Sequence, residues 1–122
     1  AMKRSILLQT GRPAVFVPFV EELERQGCAV TTVANAAECT TCVQRHAPHL
    51  VVVDAPTQQQ ARQDVIGIMR VNALVHTAVV TDMAEEAFHD AMEGLGILAP
   101  LPTAPGADDA RQLVRLLNEI QA

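Results

Sequence analysis

Short apolar runs rich in β-branched residues alternate along the chain with longer segments whose apolar residues recur at helical spacing. This alternation is typical of βαβ units around a parallel sheet. The pattern predicts five strands, at Ser5–Gln9, about Ala29–Val33, Leu50–Asp54, His76–Thr81 and Ile97–Ala99. The third run is apolar up to its final residue, which indicates the centre of a sheet covered on both faces.

Each predicted strand precedes a segment with helical periodicity. After a loop at Gly11, Arg12 and Pro13, the first helix ends at Gly27, and Pro18 must lie in its first turn or kink it. The later helices are predicted from an N-cap at Asn35 to about His46, over about Ala61–Asn72, from a capping box at Asp82 and Glu85, and from Ala107 or Asp108 with an apolar stripe that includes Ile120.

Length and composition narrow the class of protein. The 122 residues are expected to form one domain over 2–122, and Ala1, which precedes Met2, is expected to be a remnant of an expression tag. A net charge of −5 with scattered basic residues disfavours nucleic-acid binding, and no apolar stretch approaches the roughly 20 residues of a membrane span. With no export signal and three cysteines, we expect a cytoplasmic protein with reduced thiols.

One stretch of sequence resembles a known family over its whole length. Leu23 and Gly27 have the spacing of a Leu-x-x-x-Gly motif, Glu38-Cys39-Thr40 stands where the family has Glu-Ala-Leu, and Pro48-His49-Leu50 stands where it has Pro-Asp-Leu before the strand that ends in Asp54. The chain thereby resembles the receiver domain of two-component response regulators, the CheY-like domain. The resemblance implies a flavodoxin-like (βα)5 three-layer sandwich with a parallel sheet in the order 2-1-3-4-5.

The same resemblance assigns roles to residues at the carboxyl edge of the sheet. Asp54 matches the family's phosphoacceptor and Thr81 its hydroxyl residue. The family's two Mg²⁺-binding carboxylates fall on Gln9 and Thr10, and its Lys-Pro pair falls on Leu101 and Pro102. Because Mg²⁺ sites are usually built from carboxylates plus phosphates, neither a Mg²⁺ cofactor nor efficient phosphotransfer is expected.

These departures favour a degenerate receiver, or pseudo-receiver. We expect a stand-alone signalling module, not an enzyme, that binds a histidine kinase, an output domain or a second copy of itself. The resemblance places that contact on the fourth helix, the fifth strand and the fifth helix. The aromatic that the family uses as a switch on the fifth strand is replaced by Leu98.

Other interpretations remain open from the sequence. Asp54 could be a working phosphoacceptor whose metal is held by the Gln9 carbonyl oxygen and waters, or a structural strand end that accepts hydrogen bonds. Thr81 could be a helix N-cap. Cys39, Cys42 and His46 share one helical face and could form a thiol or metal sensor, although buried cysteines more often pack in a core.

Overall fold

The computed structural model of the protein describes residues 3–120, so the expectation for Ala1 lies outside the described residues. Five parallel strands form one sheet in the order β2-β1-β3-β4-β5, which confirms the predicted fold class and strand order. The elements are β1 Ser5–Gln9, α1 Val17–Arg25, β2 Ala29–Val33, α2 Ala36–Arg45, β3 Leu50–Val53, α3 Gln58–Val71, β4 His76–Val80, α4 Glu85–Ala91, β5 Ala99–Leu101 and α5 Ala107–Ile120, with a short 3-10 helix at Pro13–Phe16 before α1.

The strands divide their apolar side chains between the two faces of the sheet, because successive residues of a strand point in opposite directions. Ile6 and Leu8 of β1 pack with α1 and α5, whereas Leu7 between them packs with α2, α3 and α4. Residues 50–53 of β3 are all fully buried, as expected for a central strand that helices cover on both sides.

The register aligns the carboxyl ends of the central strands. Gln9 is paired with Val53 of β3, and Val53 is in turn paired with Val79 of β4. The main-chain N–H of Asp54 donates to the carbonyl oxygen of Gln9 at 2.9 Å. Thr10, Asp54 and Thr81, which follow these strands, therefore lie at the same edge of the sheet.

The fifth strand lies two residues later in the chain than the predicted Ile97–Ala99. The structure has β5 at Ala99–Leu101, where Pro100 is paired with Val79. A proline was expected to begin a loop because it lacks an N–H for the ladder. An edge strand tolerates proline when its donor side faces away from the neighbouring strand, and β5 is the outermost strand beside β4.

The starts of two helices and the burial of one residue also differ from the prediction. α3 begins at Gln58 because the side chain of Thr57 accepts a hydrogen bond from the N–H of Gln60, which makes Thr57 the N-cap. α4 has Ala84 at its N-cap without any side-chain cap, so Asp82 and Glu85 do not form the predicted capping box. Ile120 is 47% exposed at the end of α5 and is not part of the core.

Other local predictions are confirmed. Asn35 caps α2 by accepting a hydrogen bond from the N–H of Glu38 at 2.9 Å. Gly27 has a φ of +90°, the left-handed conformation that favours glycine after a helix. Pro18 lies in the first turn of α1. Within residues 3–120, no helix has the length and apolar character that a membrane crossing requires.

Candidate functional site at the carboxyl edge of the sheet

Asp54 lies directly after β3, where main-chain pairing to β1 places its side chain at the carboxyl edge of the sheet. Its side chain is 8% exposed, so most of the carboxylate is removed from water. A buried carboxylate is costly unless its charge is paired and its oxygens accept hydrogen bonds. The partners of Asp54 therefore decide what this site can do.

Arg12 supplies the charge that the sequence prediction did not find. Its Nη2 donates to Asp54 Oδ1 at 2.9 Å and its Nε donates to Asp54 Oδ2 at 3.0 Å. This is the two-point geometry in which a guanidinium binds a carboxylate most strongly. The hydrogen bonds to Asp54 raise the pKa of Arg12, partial burial opposes them, and the carboxylate charge adds to the increase.

Thr10 completes the set of donors around the carboxylate. Its hydroxyl donates to Asp54 Oδ2 at 2.6 Å, and Oγ1 of Thr10 accepts the main-chain N–H of Arg12 at 2.9 Å. Thr10 thus fixes the start of the β1–α1 loop and the position of Asp54 together. Thr10, which stands where the family has a carboxylate, contributes a hydrogen bond and no negative charge.

Two further contacts fix the guanidinium of Arg12. Its Nη2 also donates to the carbonyl oxygen of Thr103 in the β5–α5 loop, at 3.0 Å. The guanidinium carbon lies 5.5 Å from the ring centroid of Phe16, a cation–π distance. One side chain therefore links the β1–α1 loop, the end of β3 and the β5–α5 loop.

Thr81 lies across a cavity of about 280 Å³ that is lined by Arg12, Asp54 and Thr81 among others. Its hydroxyl donates to Oε1 of Gln58 at 2.7 Å and accepts the N–H of Met83 at 3.0 Å. The structure thus places Thr81 at the same cavity as Asp54, with no hydrogen bond between them. The alternative of an N-cap is wrong, because α4 begins only at Glu85.

Gln9 is not brought to the carboxylate of Asp54. Its side-chain N–H donates to Oδ2 of Asp64 on α3 at 2.9 Å, and the amide of Gln60 donates to Oδ1 of the same residue at 2.8 Å. Gln9 Oε1 is buried and has no hydrogen-bond partner among the described residues. Asp64 was not predicted, although it lies one helical turn after Ala61 and four residues before Ile68 on the buried face of α3.

The residues at the family's Lys-Pro positions do not line the cavity beside Asp54. Leu101 is 5% exposed and belongs to the core beneath α1 and α5, where its carbonyl oxygen accepts the N–H of Thr81 at 2.8 Å. Pro102 is exposed in the following loop. Leu98 is partly buried and packs against the same core.

The donor set does not fit a Mg²⁺ ion of the kind that the fold family implies. Two carboxylates line the cavity beside Arg12, those of Asp54 and of the exposed Asp82. Both oxygens of Asp54 already accept hydrogen bonds. A hard cation there would also have to approach a fixed guanidinium. Among residues 3–120, no group of three or more His, Cys, Asp and Glu side chains is placed to hold a metal ion.

The cysteines of α2 face different environments. Cys39 is fully buried in the core, and burial raises the pKa of its thiol to about 12. Cys42 is half-buried, and His46 lies exposed just beyond the helix. The structure does not bring Cys39, Cys42 and His46 together as ligands of one metal, and Cys39 has the core position that the sequence favoured for it.

Similarity to known proteins is found in structure and not in sequence. No family model and no curated protein matches the sequence. A response regulator from Thermotoga maritima superposes with a TM-score of 0.85 at 15% identity, over 96% of this chain and 99% of that chain. A CheY-like receiver domain protein from Methanospirillum hungatei gives a TM-score of 0.82 at 16% identity, over 98% of both chains.

An orphan response regulator of H. pylori is also similar, with a TM-score of 0.79 at 12% identity, over 93% of this chain and 96% of that chain. Sequence identities this low establish a shared fold and leave the chemistry of the site open. The chain therefore has the fold of CheY-like receiver domains, as its motifs predicted.

Proposed function

We propose that this domain is a receiver-like signalling module that works by binding another protein and does not depend on phosphorylation of Asp54. The observation that carries the proposal is the two-point hydrogen-bonded ion pair between Arg12 and Asp54. A carboxylate that accepts a phosphoryl group needs an oxygen free to attack and cations to neutralise the transferred charge. Here both oxygens are covered, and the covering cation belongs to the chain itself.

The cost of uncovering Asp54 supports the proposal. Before it could attack, the carboxylate would have to lose the guanidinium and the 2.6 Å hydrogen bond from Thr10. Two unit charges about 4 Å apart attract by roughly 4 kcal/mol at an effective dielectric near 20. A cost of even half that amount would slow the reaction by more than about tenfold.

The proposed partner is a protein that contacts the face formed by α4, β5 and α5. The resemblance to receiver domains suggests this face, and two features of the chain agree with it. β5 is an outer strand with β4 as its neighbour in the sheet. Leu98, at the family's switch position, is partly buried against the core just before β5, so no aromatic side chain occupies this position of the face.

Nuclear magnetic resonance of the ¹⁵N-labelled domain tests the proposal directly. Beryllofluoride with Mg²⁺ imitates an acyl phosphate, and we expect it to shift the amide signals of wild type no more than those of Asp54→Asn. A receiver with an intact site serves as the control for active reagent. Shifts centred on residues Asp54 and Thr81 in wild type alone would overturn the proposal.

The competing function is a working phosphoacceptor at Asp54. Its specific support is the position of Thr81 on the same cavity as Asp54, where a hydroxyl can contact a phosphoryl oxygen. Incubation with a labelled histidine kinase separates the two functions. Stable label on wild type, absent from Asp54→Asn, would establish the phosphoacceptor, and equal background on both supports the phosphorylation-independent module.

A further inference from the structure

Two hollows lie on either side of the turn between α4 and β5. The first has a volume of about 400 Å³ and an apolar lining that includes Phe88, Met92 and Leu98. The second, of about 450 Å³, is lined on its apolar side by Met69, Leu74 and Leu95. Gly94 and Gly96 line both hollows, so the two are neighbours across a single turn.

The glycines of this turn leave the space above it open. Gly94 has a φ of +85° and Gly96 a φ of +63°, conformations that other residues adopt with strain. A side-chain carbon added at either position would meet no atom within 4 Å. The two hollows therefore adjoin at a turn that carries no side chain at Gly94 and Gly96, and we call the pair of hollows the turn groove.

The turn groove has an exposed apolar end. Leu74 is 88% exposed, the largest exposure among the large hydrophobic residues described, and it lines the second hollow. Leu74 thus extends the apolar part of the lining formed by Met69 and Leu95 to the surface, and binding clefts commonly have such an apolar lining. The other end of the groove is different in character.

Acidic side chains border the first hollow. Asp90 and Glu93 belong to its lining. Glu85 and Glu86 are exposed on α4, the helix that also carries Asp90. The sequence has no lysine or arginine from position 71 to position 110, so histidine is the only residue type of this segment whose side chain can carry a positive charge. His89 is the one titratable base in the lining of the first hollow, and it lies 3.7 Å from Glu85. The negative potential of these acidic side chains repels nucleic acids and anionic lipid surfaces and attracts cations.

Resting on the function proposed above, we propose that the turn groove binds a basic segment of a partner protein. An arginine or lysine of that segment lays its aliphatic stem over the apolar floor of the first hollow and directs its charge to Asp90 and Glu93. A leucine or isoleucine of the same segment enters the second hollow beside Leu74. The complementarity lies in this combination, an apolar side chain next to a positive one, which selects against acidic and purely polar segments.

Three capped hexapeptides test the proposal against the folded domain. One alternates leucine with arginine, the second replaces arginine by citrulline, which has nearly the same shape and no charge, and the third replaces arginine by glutamate. Titrations followed by the amide signals of the ¹⁵N-labelled domain give affinity and location together. We expect the arginine peptide to bind about fivefold or more tightly than the citrulline peptide at low salt, with shifts at residues 88–98. The glutamate peptide is expected to bind least.

Matched variants separate the charges from general attraction to an acidic protein. Asp90→Asn with Glu93→Gln should abolish the preference for arginine over citrulline, whereas Glu21→Gln with Glu24→Gln, an equal loss of exposed charge on α1, should preserve it. Leu74→Ser should weaken all leucine peptides, and Val17→Ser, which also changes an exposed apolar residue, should not. A preference unchanged in the Asp90 and Glu93 variant, or shifts outside residues 69–100, would overturn the proposal.

The result is independent of the test on Asp54. If the peptides fail while beryllofluoride leaves the spectrum unchanged, the partner chemistry assigned to the turn groove is wrong and the proposed function stands. If the peptides bind as expected and Asp54 accepts a phosphoryl group, the groove stands and the phosphorylation-independent function is wrong.

Discussion

The ion pair between Arg12 and Asp54 predicts a measurable coupling in the free energy of unfolding. The perturbations are Arg12→Gln, Asp54→Asn and the two together, since glutamine keeps part of the arginine stem and asparagine keeps the shape of aspartate. Each single change leaves one partner with an unmet charge or hydrogen bond. The double change removes both, so the cycle isolates what the two side chains contribute together.

The magnitude follows from the burial of the two groups. Attraction between unit charges about 4 Å apart ranges from about 1 kcal/mol in water to about 4 kcal/mol at an effective dielectric near 20. The carboxylate is 8% exposed, but the guanidinium side chain is 43% exposed, so solvent screens part of this attraction. We expect a coupling of about 1–3 kcal/mol, and a loss of about 1–2 kcal/mol for Arg12→Gln alone because Thr10 still donates to the carboxylate.

Urea unfolding of the four proteins measures the coupling, and repetition at high salt measures its screening. The chain offers a control in Arg111 and Asp108, an ion pair within one turn of α5 whose side chains are 46% and 94% exposed. Arg111 also lies 3.6 Å from the carboxylate of Glu22, and the double-mutant cycle with Asp108 separates the exposed pair from that second contact. That pair should contribute at most about 0.5 kcal/mol and lose most of it in salt. If the coupling of Arg12 with Asp54 is no larger than that of the control pair, the guanidinium does not hold the carboxylate and the reasoning fails.

Further predictions concern side chains away from Asp54. Cys42 should react with a maleimide about tenfold or more faster than Cys39 in the folded protein, because Cys39 is fully buried with a pKa near 12; peptide mapping after a short pulse checks this, and equal rates would contradict it. Burial raises the folded-state pKa of Cys39 from 9.0 to about 12, so the contribution of its thiol to stability is fully present below about pH 9 and is lost as the pH rises towards 12. The urea midpoint of wild type should therefore fall between pH 9 and 12 by more than the midpoint of Cys39→Ala does. The pKa of Glu22 is lowered, chiefly by a hydrogen bond from Gln26, so the contribution of Glu22 to stability is present above the unfolded pKa near 4.5 and is lost as the pH falls through the lower folded pKa. The free energy of unfolding of Glu22→Gln should therefore depend less on pH in acid than that of wild type. An equal dependence would show that Glu22 is not held as a carboxylate by these contacts. Thr57→Ala should destabilise the protein by about 1 kcal/mol and speed amide exchange in the first turn of α3, whereas unchanged exchange would show that the cap does not hold that turn.

The strands and helices could be located from the sequence because their signals are local. The continuous apolar run at residues 50–53 and the alternation of strand and helix patterns indicate a parallel sheet with a central strand buried on both faces, whereas the order of the strands followed from the resemblance to receiver domains. β5 was misplaced because its pairing with β4 is a tertiary contact that outweighs the poor strand propensity of Pro100. The missed start of α3 has a local signal, Thr57 before three glutamines, which reads as an N-cap before good helix formers.

The site was harder to predict because its main contact spans the chain. Arg12 and Asp54 are 42 positions apart, and nothing in the hydrophobic pattern marks a loop arginine as a partner for a strand end. The resemblance directed attention to the positions at which the family carries its charged groups, namely Gln9, Thr10 and Leu101. Arg12 lies two residues after Thr10, at none of these positions, and its long side chain reaches the carboxylate of Asp54. The available signal was the shared sheet edge, since any basic residue just after β1 lies within reach of the residue after β3.

The guanidinium on Asp54 arrives with every copy of the polypeptide as soon as it folds. Chelators cannot remove it, and neither the supply of divalent ions nor the level of phosphodonors in the surroundings changes how much of it is bound. On the function proposed here, synthesis and turnover of the protein, and competition for its binding face, are then the quantities through which a cell can adjust the signal.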